Sequence, residues 1–283
     1  MTRKELEIRA HAVESAYSDN DVDKAVNYVM ELYERNDEKK LYRFRPPKMW
    51  EVDAIKNFQI YLCRPCMYED NGDCEWIDDI EALVEYYVMI NPKKYARFKQ
   101  QFTKEKYREI AESVKNNPKY VRIQNRIRNM CLISCITDKI NDYMWEKYAL
   151  KSQGICLEYN FEEVLSAIDK LKIRFFPIRY IDNRKQVKDI QFGPNEYELD
   201  ASDDLMARKY ILSCMTKERV PYAKESEWRV LCENMDESIE KGKLYDFIKP
   251  NKIYLGKNIN KDDEFKKAIE NVARELEIPL IQM

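Results

Sequence analysis

The chain has 283 residues, 45% of them hydrophobic and 12% aromatic, with 20 tyrosines and 5 glycines, which excludes a disordered or low-complexity protein and predicts a sizeable core. Its 49 Lys and Arg against 51 Asp and Glu give a formal net charge of -2, so overall charge names no partner and any electrostatic argument has to be local. The charged start MTRKELEIRAHAVESAYS and the lack of any run of about 18 apolar residues predict a cytoplasmic protein with no membrane segment, in which the eight scattered cysteines are reduced thiols.

In chain order, two amphipathic helices are expected to open the protein. The second follows from Val22, Ala25, Val26, Val29, Leu32 and Tyr33 at helical spacing after the capping run Ser18-Asp19-Asn20-Asp21. Leu41-Tyr42-Arg43-Phe44-Arg45 alternates and stops at Pro46-Pro47, as a short strand does; a helix over 48–57 and a strand over 58–63 follow, then a polar loop from Tyr68 to Glu75 containing Gly72. Residues 77–130 read as a helical insertion broken at Pro92 and Pro118. Strands are expected at 131–136 and 154–159 with a short helix over 144–149 between them, then at 173–181, around Glu225 and at 253–256, with helices over 201–215 and 262–276. No internal repeat is visible. The pattern predicts an N-terminal helical extension over 1–40 and one mixed α/β or α+β domain over 41–283.

Cys63-x-x-Cys66 with Cys74 begins a zinc spacing, but a closed site needs a fourth sulfur or nitrogen ligand. His11 is the single histidine and Cys131-x-x-x-Cys135 reads as a buried strand, so no metal is expected, and a histidine-assisted nucleophile is disfavoured as well. No Gly-rich phosphate loop of the NTPase or dehydrogenase type is present. Between 93 and 128, Lys94, Arg97, Lys99, Lys104, Lys106, Arg108, Lys115, Lys119, Arg122 and Arg126 are interleaved with Tyr95, Phe98, Phe102, Tyr107 and Tyr120. Such a segment either binds nucleic acid through phosphates and base stacking or forms an amphipathic layer with rings inward and charges in water, the commoner arrangement. In Glu225-Ser226-Glu227-Trp228-Arg229, strand alternation puts Glu225, Glu227 and Arg229 on one face and Trp228, Val230 and Cys232 on the other. The apolar set anchors the strand, and the charged set faces either water or a site.

Five pieces, taken in order, resemble a mostly bacterial family of unknown function, the domain numbered twenty-nine seventy-one. Leu41-Tyr42-Arg43-Phe44-Arg45 is similar to its opening "LYKYR", and Ile60-Tyr61-Leu62-Cys63-Arg64-Pro65 with the loop from Tyr68 to Cys74 is similar to "IYFSSP…FNDPFDC". Asn141 to Ala149, running on to Gly154-Ile155-Cys156-Leu157-Glu158-Tyr159, is similar to "DNxLMWxHYAxxHxGxCIEF". Lys217 with Glu225 to Arg229 is similar to "K…ExEYR", and Ile253-Tyr254-Leu255-Gly256 to "IYFG". Glu69 stands where the family has Asn, Asn71-Gly72 where it has Pro-Phe, and Lys151-Ser152-Gln153 lacks its histidine.

An early-strand arginine, an aromatic-rich middle and a late Glu-x-Glu strand are also similar to the ADP-ribosyltransferase plan. That similarity implies a mostly antiparallel central sheet and NAD as substrate, held in a cleft between the Arg45 and Glu227 strands. Arg45 would hold the ribose and phosphates, Tyr42, Lys217 and Arg229 would complete the binding set, and Trp145 and Tyr148 would pack the nicotinamide. Glu227 would bind a ribose hydroxyl and stabilise the oxocarbenium-like sugar, with Glu225 orienting or deprotonating the acceptor. The serine-containing middle-strand motif of many such transferases is not found. The acceptor would be a protein, a nucleic acid or water, and the role that of a bacterial stress or antiviral-defence effector. Read without the resemblance, Arg45 is a partner for a carboxylate, and Trp145 and Tyr148 are core residues. Two other functions fit the same residues: a non-catalytic sensor that binds nucleotide or nucleic acid, and a Mg²⁺-dependent nuclease using Asp70, Asp73, Glu225, Glu227 and Lys217.

Overall fold

The computed structural model describes residues 1–68, 73–95, 103–171, 173–198, 203–233, 239–260 and 263–283. Helices α1 (Arg3–Tyr17) and α2 (Val22–Arg35) open the chain, their first turns capped by the side chains of Thr2 and Asp21. They lead into β1 (Lys40–Arg45), α3 (Met49–Lys56), β2 (Gln59–Cys63) and β3 (Ile77–Asp78). The helical insertion comprises α4 (Ile80–Ile90), α5 (Pro92–Tyr95), α6 (Lys104–Lys115) and α7 (Pro118–Arg128), and its two prolines lie at breaks between helices, each as the first residue of the next one. Next come β4 (Cys131–Thr137), α8 (Asp142–Lys147), β5 (Ile155–Asn160), α9 (Phe161–Leu171), β6 (Arg174–Pro177), β7 (Arg179–Ile181), β8 (Gln191–Phe192) and α10 (Pro194–Glu198). The chain closes with α11 (Asp203–Cys214), β9 (Thr216–Glu218), α12 (Arg219–Tyr222), β10 (Glu227–Glu233), β11 (Gly242–Asp246), β12 (Lys252–Leu255), α13 (Glu264–Glu275) and β13 (Leu280–Gln282).

The protein is a mixed α/β fold around a mostly antiparallel sheet, with β4 as its axis. Along one edge β4 pairs with β10 from Glu227↔Thr137 to Glu233↔Cys131, and β6 extends the sheet beyond β10. Its other edge is divided: β1 meets it at Tyr42↔Thr137 and β2 at Cys63↔Ile133, so β1-β5-β12-β13 and β2-β11 leave as separate branches. Gly154 makes the first branch close, since a Cβ there would stand 2.0 Å from the Arg45 carbonyl oxygen.

Trp228 and Val230 are buried as the alternation requires, Trp228 stacked on Phe175 (4.9 Å) and edge-on to Phe161 (5.1 Å). Helix α1 belongs to the same core, with Ala12, Val13 and Ala16 fully buried. Val22 and Val26, which helped mark α2 by their helical spacing, are exposed by nearly half, while Ala25, Val29, Leu32 and Tyr33 are buried. The single strand expected over 173–181 is two: β6 continues the main sheet, whereas β7 pairs in parallel with β9. Pro177, which ends β6, lacks the N–H that a continuing ladder needs. Residues 77–78, placed within the helical insertion, form β3 and pair with β8. Helix α9 escaped the reading although Phe161, Val164 and Ile168 lie on one buried face; β11 escaped it because its strand is largely exposed and carries no apolar alternation. Among the described residues, no helix is long and apolar enough to cross a membrane.

Candidate functional site

The charged segment at the start of β10 is not one continuous strand. Ser226 adopts a left-handed conformation (φ 45°, ψ 46°) that ends the 3-10 turn Ala223–Glu225 and starts the strand at Glu227. That conformation is strained for a residue other than glycine; here the Ser226 hydroxyl accepts a buried hydrogen bond from Arg9 Nη2 at 3.1 Å. Glu225 therefore reaches the Glu227 side from a turn, which corrects the expectation of a strand face carrying three charges.

Glu227 and Arg229 do share a face, and it points into the protein. Lys217 Nζ, on β9, lies 2.8 Å from Glu225 Oε2, 2.8 Å from Glu227 Oε2 and 3.1 Å from Asp73 Oδ2. Arg229 donates from Nε to Glu227 Oε1 (2.6 Å), from Nη2 to both Asp73 oxygens (2.9 and 2.7 Å), and from Nη1 to the Cys214 carbonyl and Cys74 Sγ. Lys147 Nζ (3.0 Å) and the Tyr148 hydroxyl (2.6 Å) both donate to Glu225 Oε1. Asp73, Glu225 and Glu227 thus meet Lys147, Lys217 and Arg229, and the formal charges cancel. The backbone is fixed as well: Arg9 Nη1 donates to the Glu227 carbonyl (2.8 Å), the Glu227 N–H to the Tyr180 hydroxyl (2.9 Å), and the Thr137 hydroxyl to the Glu225 carbonyl (2.5 Å).

Burial alone would raise the Glu227 carboxyl, but the Arg229 guanidinium and the Lys217 ammonium hold it well below the usual carboxylate range. Asp73 is lowered in the same way, against its burial, by Arg229 and Lys217. Lys217 is correspondingly raised well above its ordinary value, since Glu227 and Asp73 outweigh its desolvation. Burial pushes the Tyr148 phenol far up, and the carboxylates of Glu225 and Glu227 add to this against the opposing Lys217, so it stays a donor to Glu225.

A cavity of about 380 Å³ adjoins this cluster. Asp73 and Lys217 form its wall on the cluster side, and Arg184, Lys185, Glu218 and Tyr222 line it elsewhere. Its volume falls in the range of small-molecule sites, roughly 300–1,000 Å³.

Of the site residues expected from sequence, Lys217, Glu225, Glu227, Arg229 and Tyr148 come together. Arg45, Tyr42 and Trp145 have other partners. Arg45 donates from Nε to Glu51 and lies over the Trp50 ring (4.9 Å). The Tyr42 hydroxyl donates to Glu38 Oε2 (2.7 Å), and Trp145 packs edge-on against Phe44 (5.1 Å). Residues directly opposite in an antiparallel pair share a face, so Thr137 puts Tyr42 and Glu227 on one face, and alternation turns Arg45 to the other. Strand β4 lies between the Arg45 and Glu227 strands. The carboxylates weighed as metal ligands converge on Lys217 and Arg229 instead, and among the described residues no group of three or more is placed to hold a metal ion; Asp70 and Gly72 lie outside them. In the basic segment Tyr120 is buried against Tyr197 (4.3 Å) while Lys104, Arg108, Lys115, Lys119, Arg122 and Arg126 are exposed, which is the amphipathic arrangement. Arg97, Phe98, Lys99 and Phe102 lie outside the described residues, as do the side chains of Lys94 and Tyr95.

Arg9, Lys147 and Arg184 escaped the sequence reading. Lys147 sits beside Tyr148 within a quoted motif and was within reach of it, whereas Arg9 and Arg184 carry no local signal. No curated protein and no solved structure matches the chain. Residues 144–230, which supply Lys147, Lys217, Glu225, Glu227 and Arg229, match the family described as "Protein of unknown function (DUF2971)", the family that the sequence resembles.

Proposed function

We propose that this protein is an ADP-ribosyltransferase-like enzyme that takes NAD at the cavity beside Glu227 and passes ADP-ribose to a protein, a nucleic acid or water, in a bacterial stress or antiviral-defence setting. The observation that carries the reading is the Glu227 carboxylate, buried, ionised and fixed on its strand one hydrogen bond behind the cavity-lining Lys217. Departure of nicotinamide leaves positive charge on the ribose, and a carboxylate already ionised and oriented lowers that barrier without reorganising during the reaction. In this mechanism a ligand phosphate draws Lys217 Nζ toward the cavity, which releases Glu227 Oε2 to accept from a ribose hydroxyl. Arg229 keeps Glu227 ionised through Oε1, and Glu225, still held by Lys147 and Tyr148, takes the acceptor proton. In this reading Tyr222, which lines the cavity, packs the nicotinamide in place of Trp145 and Tyr148.

The test incubates the protein with NAD labelled in its adenylate half, with and without cell extract, and follows nicotinamide release and label transfer. Wild type should release nicotinamide. Glu227→Gln should abolish it and Glu227→Asp, which retracts the charge by one methylene, should reduce it at least tenfold, with circular dichroism confirming that both are folded. Absence of nicotinamide release by folded wild type would sink the transferase. One observation favours a second reading, a non-catalytic nucleotide-binding module: every carboxylate of the cluster already has a cation. NAD binding without turnover, unchanged in Glu227→Asp, selects it.

A further inference from the structure

One buried cation beside the cluster has hydrogen-bonding capacity that the protein leaves unused. Arg184, in the 3-10 turn Arg184–Gln186, is 4% exposed and lines the cavity. Its Nη2 donates to the carbonyl (2.9 Å) and hydroxyl (2.8 Å) oxygens of Ser213, whereas Nε and Nη1 have no hydrogen-bond partner. A guanidinium stays charged at any accessible pH, so burying it with open donors and no carboxylate is costly unless a further acceptor arrives. Arg9 and Arg43 are also buried with an open Nε, but each has a carboxylate, Asp138 and Glu51; Arg179 has Asp189 and Glu14, and Arg229 has Asp73 and Glu227.

The charges around the cavity narrow the ligand. Asp73 is already matched by Arg229, and Lys217 by three carboxylates. Arg184 and Lys185 remain on one side of the account and Glu75 and Glu218 on the other. A bare anion gains from the first pair and is repelled by the second. A phosphorylated sugar suits both, its phosphate accepting from Arg184 and Lys185 and its hydroxyls donating to Glu75 and Glu218. We infer that Arg184 is the phosphate-binding residue of a sugar-phosphate subsite in this cavity. The inference rests on the same cavity as the NAD reading and names the group that holds the ligand there.

The probes are ribose 5-phosphate, ribose and inorganic phosphate at millimolar concentration and matched ionic strength, read by thermal unfolding and titration calorimetry on the full chain. Ribose 5-phosphate should raise the wild-type midpoint by several degrees and each fragment should do so far less. In Arg184→Met the midpoint without ligand should equal or exceed that of wild type, because an apolar side chain replaces a buried charge with open donors, and the ribose 5-phosphate shift should vanish. Arg184→Lys should retain part of it. A wild-type midpoint indifferent to ribose 5-phosphate, a shift that persists in Arg184→Met, or an Arg184→Met protein that unfolds while Arg184→Lys does not, overturns the subsite; the last outcome makes Arg184 structural. Ribose 5-phosphate binding without nicotinamide release leaves the subsite standing and removes the transferase. Nicotinamide release that survives Arg184→Met does the reverse.

Discussion

Arg229 and Arg184 lie at the same end of helix α11 and have opposite fates. Arg229 donates to the carbonyl of Cys214, and Arg184 to the carbonyl of Ser213, one residue earlier. Both cations thus sit at the negative end of the helix dipole, where a positive charge is favoured. From there Arg229 continues into two carboxylates and is fully matched, whereas Arg184 lines the cavity and keeps Nε and Nη1 buried without a partner. The difference separates the roles of the two arginines: the fully matched Arg229 holds the cluster together, and the partly matched Arg184 is ready for something from outside.

The largest way to break this comparison is Arg229→Met. It leaves Asp73 and Glu227 buried with Lys217 as their remaining cation, and removal of one partner from a buried pair costs about 3–5 kcal/mol. Urea unfolding of the variant should show that loss. A cost below about 1 kcal/mol, similar to that expected of a surface change, would mean that the cluster is not a framework.

Next comes acid. Unfolded carboxyls titrate near about 4, and the folded Asp73 and Glu227 lie lower. Between those values the unfolded chain binds protons that the folded chain does not. The cluster's contribution is therefore complete above about pH 4 and is lost as the pH falls through the folded values. Lys217 gives the mirrored limb: its folded value lies above the unfolded value of about 10.4, so its contribution is complete below that pH and is lost as the pH rises through the higher one. Urea midpoints measured at pH 3, 5 and 7 should fall between 5 and 3 in wild type and fall less in Arg229→Met, which has already lost the matching cation. Equal slopes in the two proteins would remove the cluster as the acid-sensitive element.

The residues of this comparison also show what a sequence makes legible. Lys217, Glu225, Glu227 and Arg229 were readable because they crowd one short segment and its neighbour, and β10 buries Trp228 and Val230 where alternation puts them. The αL turn at Ser226 was not readable, since nothing local demands that a serine take a strained conformation; its hydroxyl is bound by Arg9, distant in sequence. Asp73 could be seen as a carboxylate but not as the partner of Arg229, because that pairing depends on how the sheet closes. Arg45 was misplaced for a related reason. Alternation relates the faces within the Glu227 strand, but the register of β1 against β4, which decides the face that Arg45 takes, is set by pairing rather than by local sequence.

The smallest expected effect is the sharpest control. Lys56 Nζ and Glu275 Oε2, which tie the end of α3 to the end of α13, are 3.1 Å apart, the same separation as Lys217 Nζ and Asp73 Oδ2. Their side chains are 50% and 55% exposed, against 3% and 1% for the buried pair. In water the attraction is screened, and ordering two long side chains offsets much of it, so Lys56→Ala should cost about 0.2–1 kcal/mol and lose even that in high salt. Arg229→Met should keep nearly its full cost in the same salt, because Arg229 and the carboxylates it pairs with are buried and are screened far less than an exposed pair. If Lys56→Ala cost as much as Arg229→Met, distance alone would set the value of an ion pair here. The contrast between the matched and the open arginine would then lose its physical basis, since that contrast depends on what burial does to a charge.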